Sequence, residues 1–251
     1  MKIITVGGGR RLEHCRKYLE GLSFPSLREL LLLPIPTTRD NKCVSGTDTP
    51  LSRLPEMVGE GSAVAGYGLP DWLKGELICR GALVFDGAES EDFLSANAAL
   101  TVDGALCRLL SVGELSPRDM WVGIIGYGRI GSRLLGALLF LGARVRLYTR
   151  SAEVRERLGA EGVETALFDG EADYSGLGVL VNTAPVRVMN EEEMRLAEQR
   201  GLLILDLASG ECFPPSANLM KLASVPEAMY PESAGRLYGR FITEFLGGGA
   251  K

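Results

Sequence analysis

Apolar positions along this chain fall in short continuous runs, most of them followed by a glycine- or proline-marked turn and then a stretch of helical period. Runs at residues 2–6, 64–66, 83–85, 120–125, 144–148, 178–181 and 202–205 read as strands, with 30–33 as a further candidate. Stretches at 10–22, 101–111, 154–159, 191–200 and 234–246, and one from the glycines near 131 to about 141, read as helices between them. Strand and helix in alternation argue for parallel sheets covered by helices, an α/β fold. The run at 120–125 shows none of the polar alternation of a half-exposed strand, so it predicts a strand buried on both faces. In the 101–111 stretch, Val102, Leu106, Leu109 and Leu110 recur at helical spacing, and Gly113 marks the close of that helix. Residues 116–119 read as a turn and 247–251 as a loose tail.

Two strand–glycine–helix openings, at Gly7-Gly8-Gly9 and at Gly126-Tyr127-Gly128-Arg129-Ile130-Gly131, predict two similar domains. The expected boundaries are 1–100 for an N-terminal substrate domain, 101–118 for a connecting helix and turn, and 119–232 for a dinucleotide-binding domain. The stretch 233–251 is a last helix and tail, expected to pack back on the first domain.

Composition narrows the function more than the fold. The 27 basic and 32 acidic residues among 251 leave a net charge of −5 without a basic stripe, which argues against nucleic acid as a partner. Five cysteines form no CxxC, and with a single His they offer no zinc site; scattered thiols fit a reducing cytoplasm. The apolar stretch at 134–143 is about half the ~20 residues a bilayer span needs, so no membrane association is expected. The N-terminal apolar run is too short for a secretory signal.

The glycines at 126–131 follow an apolar strand and open an apolar helix, the context that turns a weak GxGxxG into a dinucleotide fingerprint. Gly126 would allow the tight turn and Gly128 would let backbone N–H groups approach a diphosphate. Gly131 would let the helix pack closely on the strand, with the positive helix end toward the ligand. An NAD site would place a carboxylate at the end of the next strand. Here that strand ends in Thr149-Arg150-Ser151, where a guanidinium and two hydroxyls favour the 2′-phosphate of NADP, with NAD as the competing cofactor. The first turn lacks the spacing and is assigned no nucleotide. Two further strand ends carry polar residues, Asn182-Thr183-Ala184-Pro185 and Asp206-Leu207-Ala208-Ser209. Asn182 and Asp206 are candidates for catalysis and, equally, for turn formation.

These motifs, in this order, carry a resemblance. Along most of its length the chain is similar to the A subunit family of dipicolinate synthase, from spore-forming bacteria. The similar stretches are the N-terminal strand and Gly turn with its Arg-Leu-Glu helix; Asn97 and Thr101-Val102-Asp103-Gly104-Ala105; the GxGxxG; and Thr149-Arg150-Ser151. Further on they are Asn182-Thr183-Ala184-Pro185, Asp206-Leu207-Ala208-Ser209 and Pro231-Glu232-Ser233-Ala234-Gly235. The resemblance implies a flavodoxin-like first domain, a Rossmann second domain and a nicotinamide cofactor. It also implies a dihydrodipicolinate-type substrate and, for a partner, a flavin-binding B subunit. The chain departs from the family at Leu100, at Asp103 (where a Glu is usual), at Gly210-Glu211-Cys212 (where an Arg is usual) and at Pro226-Glu227, and its first domain is compact.

A 2-hydroxyacid dehydrogenase would need an Arg for the substrate carboxylate and a His for the proton. Ser209 stands where the Arg would be, and the one His, His14, lies in the first helix, so proton transfer by a His of the second domain is excluded. Asp103 is then the carboxylate to test as a base, and Arg10, Arg11 and Asn97 are the candidate substrate contacts. The reading that results is a cytoplasmic NADP-dependent oxidoreductase, expected to oligomerise with itself. It would transfer a hydride in the interdomain cleft between the cofactor and a small cyclic or keto acid. Two alternatives stay open: a non-catalytic nucleotide-binding or regulatory protein, and a divergent 2-hydroxyacid dehydrogenase-like enzyme with another small acid.

Overall fold

The computed structural model describes residues 1–112, 116, 118–170 and 172–247. Pro117 of the expected turn, Gly113 at the expected helix close and residues 248–251 of the expected tail lie outside the described residues. The chain folds as α/β, in two compact units. One contains Met1–Asn97 and the segment that begins at Pro226; the other is Ala98–Val225.

The first unit holds β1 (Lys2–Thr5), α1 (Arg10–Glu20), β2 (Glu29–Leu32), a 3₁₀ helix at Leu51–Met57, β3 (Ser62–Gly66), α2 (Asp71–Cys79) and β4 (Leu83–Asp86). Its four strands are all parallel and lie in the order β1-β2-β3-β4. Strand periodicity divides the core between the two faces. Leu30, Leu32, Ala63 and Ala65 pack against Leu12, Cys15 and Leu19 of α1. Leu31, Leu33 and Val64 pack against Leu51 and Leu54 of the 3₁₀ helix and Leu73 and Leu77 of α2.

The connections β1–α1–β2 and β3–α2–β4 therefore advance across the sheet in one direction with their helices on opposite faces, so they have opposite hands. Right-handed crossovers are the strong rule. A flavodoxin sheet runs 2-1-3-4-5. Without its second strand it gives the order seen here, and α1 stays on the face where a crossover to that strand would have put it.

The last helix, α8 (Pro231–Phe245), belongs to this unit and packs on α1 through two glycines. A Cβ on Gly235 would lie 2.5 Å from His14 Cβ, and one on Gly239 would lie 2.4 Å from Tyr18 Cδ1. The one His is thus part of a helix–helix contact. Tyr238, between the two glycines, is fully buried and donates from its hydroxyl to Leu33 O at 3.3 Å.

Helix α3 runs Glu91–Ser111, beginning well before the Thr101 expected from periodicity. Ser90 starts it, its Oγ accepting from Phe93 N at 3.2 Å. The helix is long and apolar enough to cross a membrane. Its buried side chains fill protein cores instead, Phe93 in the first unit and Val102 and Leu109 in the second.

The second unit holds β5 (Trp121–Ile125), α4 (Arg129–Phe140), β6 (Arg144–Thr149), α5 (Ala152–Ala160), β7 (Glu164–Leu167) and β8 (Leu177–Asn182). It continues with α6 (Glu191–Gln199), β9 (Leu203–Asp206) and β10 (Leu219–Lys221). The six strands are parallel in the order β10-β9-β8-β5-β6-β7, the 3-2-1-4-5-6 order of a dinucleotide-binding sheet counted from β5. Val122 and Ile124 face Leu134, Leu135 and Leu138 of α4, while Ile125 and Leu180 face Met194 and Ala197 of α6. Burial on both faces is why the β5 sequence carries no polar alternation. Strand order reverses between β5 and β8, which puts the switch point at the turn after Ile125.

Candidate nucleotide site

Each glycine of the 126–131 turn stands in a different steric situation. Gly126 has φ +93°, a left-handed conformation that side chains disfavour, and a Cβ on it would lie 2.8 Å from Thr183 Oγ1. A Cβ on Gly131 would lie 2.1 Å from Gly126 O, so only glycine lets α4 sit this close to the strand end. Gly128 has nothing within 4 Å and an ordinary φ of −91°. Its lack of a side chain serves neither packing nor backbone shape, and what it leaves is open space at the N-terminus of α4. The first N–H groups of a helix need acceptors. Ser151 caps α5 and Asn190 caps α6 in a full capping box, whereas Gly128, the N-cap of α4, offers no side chain. The residues therefore fit a diphosphate at this helix end.

Thr183 fastens the turn from β8: its N and Oγ1 both donate to Ile125 O, at 3.0 and 2.8 Å. Ala184 is half-buried behind Gly126 and Pro185 is exposed. Within the turn, Tyr127 is half-buried under the Arg157 guanidinium, 5.5 Å from its ring centre, while Arg129 is exposed and Ile130 packs on the core. At the end of β6, Arg150 is exposed. Thr149 is buried, its Oγ1 accepting from Ser151 N at 3.3 Å, and Ser151 Oγ accepts from Val154 N at 3.2 Å. Both hydroxyls keep a proton to donate. Arg155, which donates to Thr149 O at 2.9 Å, and Arg157 add positive charge that the sequence motifs do not mark. The available signal was their position in the first two turns of the helix after this strand.

Asn182 and Asp206 turn toward each other rather than toward solvent. Asn182 is fully buried and Asp206 is 1% exposed, and Asn182 Nδ2 donates to Asp206 Oδ1 at 2.9 Å. Asn182 Oδ1 accepts from Ala184 N and Asp206 Oδ1 from Ala208 N, at 3.0 and 3.1 Å. Lys221 of β10 closes the network, its Nζ donating to Asp206 Oδ2, Ala208 O and Gly210 O at 2.6, 2.6 and 2.7 Å. These bonds tie together the loops after β8 and β9. Cys212 joins the same loops, its Sγ lying 3.8 Å from both Ala184 O and Ser209 O, and burial raises its thiol pKa. The cation beside the altered 210–212 segment is thus Lys221, which no sequence pattern marks because β10 has only three residues. A cavity of about 550 Å³ opens here, with Arg187, Glu211 and Lys221 in its wall. A larger one, about 730 Å³ beside Trp121 and Tyr174, lies at the amino ends of β5 and β8, opposite the edge where such sheets bind ligands.

The remaining candidates lie elsewhere. Asp103 is exposed on α3 and Asn97 is half-buried on the same helix. Arg10 is exposed at the start of α1, whereas Arg11 is 5% exposed. Burial lowers the Arg11 pKa, Glu227 being the strongest of the influences that oppose it.

Solved structures share this fold along nearly the whole chain. The A subunit of dipicolinate synthase from Bacillus halodurans superposes with a TM-score of 0.74 at 16% identity, over 98% of this chain and 97% of that one. Its counterpart from Bacillus subtilis gives 0.73 at 18%, over 98% and 96%. The chain has the fold of the dipicolinate synthase A subunit. A D-isomer-specific 2-hydroxyacid dehydrogenase from Xanthobacter autotrophicus Py2, in complex with NADPH and MES, gives 0.50 at 14% identity over 98% and 93%. In sequence, 85 residues are 32% identical to glyoxylate reductase from Thermococcus litoralis, covering 33% of this chain and 26% of that protein. The match spans about a quarter of that relative's length. No family model matches the chain.

Proposed function

We propose that the chain is a nicotinamide-nucleotide-dependent oxidoreductase that prefers NADP and oxidises a small cyclic dicarboxylic acid of the dihydrodipicolinate type. The observation that carries this reading is the open position at Gly128 between two closed ones, at the switch point of a six-stranded parallel sheet. The likeness to the dipicolinate synthase A subunit supports the substrate class, and the NADPH complex of a dehydrogenase of this fold supports the cofactor class. Bound NADP supplies the hydride acceptor.

The chain's own residues do the rest. The N-terminal N–H groups of α4 hold the diphosphate, with Gly128 giving them access. Arg150, exposed and without the carboxylate an NAD site uses, pairs with the 2′-phosphate. Asn182, Asp206 and Lys221 position the loops after β8 and β9, and Thr183, Ala184 and Pro185 line the turn. Arg10 is the exposed cation for a substrate carboxylate. Asp103 is the carboxylate that accepts the proton released when a dihydro ring loses a hydride and a proton on becoming aromatic. A flavin-binding partner would be a further electron carrier for the same reaction.

The test is titration of the full chain with NADPH and NADH by fluorescence, then nicotinamide reduction with dihydrodipicolinate. Tighter binding of NADPH and substrate-dependent reduction are expected; failure of both nucleotides to bind ends the proposal. A second reading, a nucleotide-binding protein without chemistry, is favoured by the burial of Asn182 and Asp206 and by His14 lying in a helix contact. Tight NADPH binding with no turnover would decide for it.

A further inference from the structure

The Gly7-Gly8-Gly9 turn also opens a helix, and what stands at that helix end is a carboxylate from far along the chain. Glu227 Oε1 accepts from Arg11 N at 3.4 Å across 216 residues, and a Cβ on Gly9 would lie 2.3 Å from the same oxygen. Gly9, with φ +115°, both makes the turn and leaves the room that the carboxylate fills. We infer that the turn before α1 is a site for a ligand carboxylate, held shut in this structure by Glu227.

Three features point to a ligand rather than to a permanent cap. Arg11 is 95% buried, yet its Nε has no hydrogen-bond partner. A buried Nε–H left without an acceptor is costly, and a carboxylate arriving from outside can supply one. Thr5 Oγ1, on the face of β1 that α1 covers and two residues before Gly7, is likewise buried without a partner. And the hold of Glu227 is weak. At 3.4 Å its bond lies at the long limit for a hydrogen bond, its side chain is only half-buried, and it rides on the five-residue helix α7 (Val225–Met229). That helix follows Ser224, whose φ of +50° is unusual for a residue with a side chain. A ligand carboxylate that displaces Glu227 would gain both the helix end and Arg11.

The choice of a small dicarboxylate as ligand rests on the proposed function; the site itself does not, so the measurement leaves out nucleotide. Pyridine-2,6-dicarboxylate is titrated by calorimetry into the full chain and into Glu227→Gln and Glu227→Ala. Freeing the Arg11 N–H to donate to the ligand carboxylate should tighten binding about tenfold in Glu227→Ala, with a smaller gain in Glu227→Gln. Adding Arg11→Gln to Glu227→Ala should abolish the gain. Adding Arg11→Lys instead should keep part of it, which covers the case in which the Gln variant does not fold. Equal affinity in wild type and Glu227→Ala, a gain that survives loss of Arg11, or an equal gain for sulfate would each overturn the inference. Failure of NADPH to bind would end the proposed function and leave this result standing.

Discussion

The two glycine turns make a controlled pair. Gly7-Gly8-Gly9-Arg10-Arg11-Leu12 and Gly126-Tyr127-Gly128-Arg129-Ile130-Gly131 each leave a parallel strand and enter a helix. Their first glycines have similar left-handed φ values, +108° and +93°. They part at the third and sixth positions. In the second turn the third position is open and the sixth is glycine, so α4 closes on the strand end and its N–H groups face free space. In the first turn the third position faces Glu227, and the sixth is Leu12, buried in the core. Helix α1 makes its close approach elsewhere, to Gly235 and Gly239 of α8. The number of glycines does not make a nucleotide cradle; which of them are filled and which are open does.

The pair can be broken most strongly at Gly128. Gly128→Asp puts a carboxylate in the open space. Like charges about 4 Å apart cost about 4 kcal/mol at an effective dielectric of about 20, on the order of a thousandfold in nucleotide affinity. Nothing else lies within 4 Å, so the thermal transition of the free protein should barely move. Calorimetry with NADPH reads the first effect, and wild-type affinity in the variant would remove the site from this turn. Gly131→Ala tests the sixth position. A methyl 2.1 Å from Gly126 O forces helix and strand apart, and overpacking of this kind should destabilise the fold by about 3 kcal/mol, read by denaturant unfolding. A near-neutral result would mean that α4 does not need this closeness.

How far the sequence spoke follows the same physics. The β5 run and the GxGxxG were legible because a doubly buried strand is apolar throughout and because the fingerprint is local. The edge strands β7 and β10 were not: Glu164–Leu167 is partly exposed along its length and Leu219–Lys221 is three residues long. Helix α2 hid because only Leu73 and Leu77 are buried, while Trp72 and Ile78 are exposed. The first half of α3 had a readable start in Ser90-Glu91-Asp92, obscured by a periodicity that strengthens only after Val102. At the sites, the cofactor turn was readable, but the Asn182–Asp206–Lys221 network and the Glu227 contact are tertiary and leave no spacing signal.

A smaller effect sharpens the reading of the second turn. Arg150 is exposed, so its bond to a 2′-phosphate is partly screened. Arg150→Ala should weaken NADPH by about tenfold and NADH by about twofold at most. The difference should shrink as salt is raised. Equal losses for both nucleotides would mean that Arg150 touches the shared part of the cofactor and that the 2′-phosphate is bound elsewhere.

The smallest effect belongs to the first turn. Gly8 has nothing within 4 Å and does not need a left-handed φ, unlike Gly7 and Gly9 on either side. An alanine there fits the folded chain and restricts the unfolded one, so Gly8→Ala should stabilise the protein by about 0.5 kcal/mol through the unfolded state. The denaturant midpoint should rise with an unchanged slope. Pyridine-2,6-dicarboxylate binding in the Glu227→Ala background should persist, because the anion is held at Gly9 and Arg11 rather than at Gly8. Loss of that binding would place the ligand over Gly8, at the middle of the turn. The two turns would then hold their anions at different glycines, Gly8 in the first and Gly128 in the second.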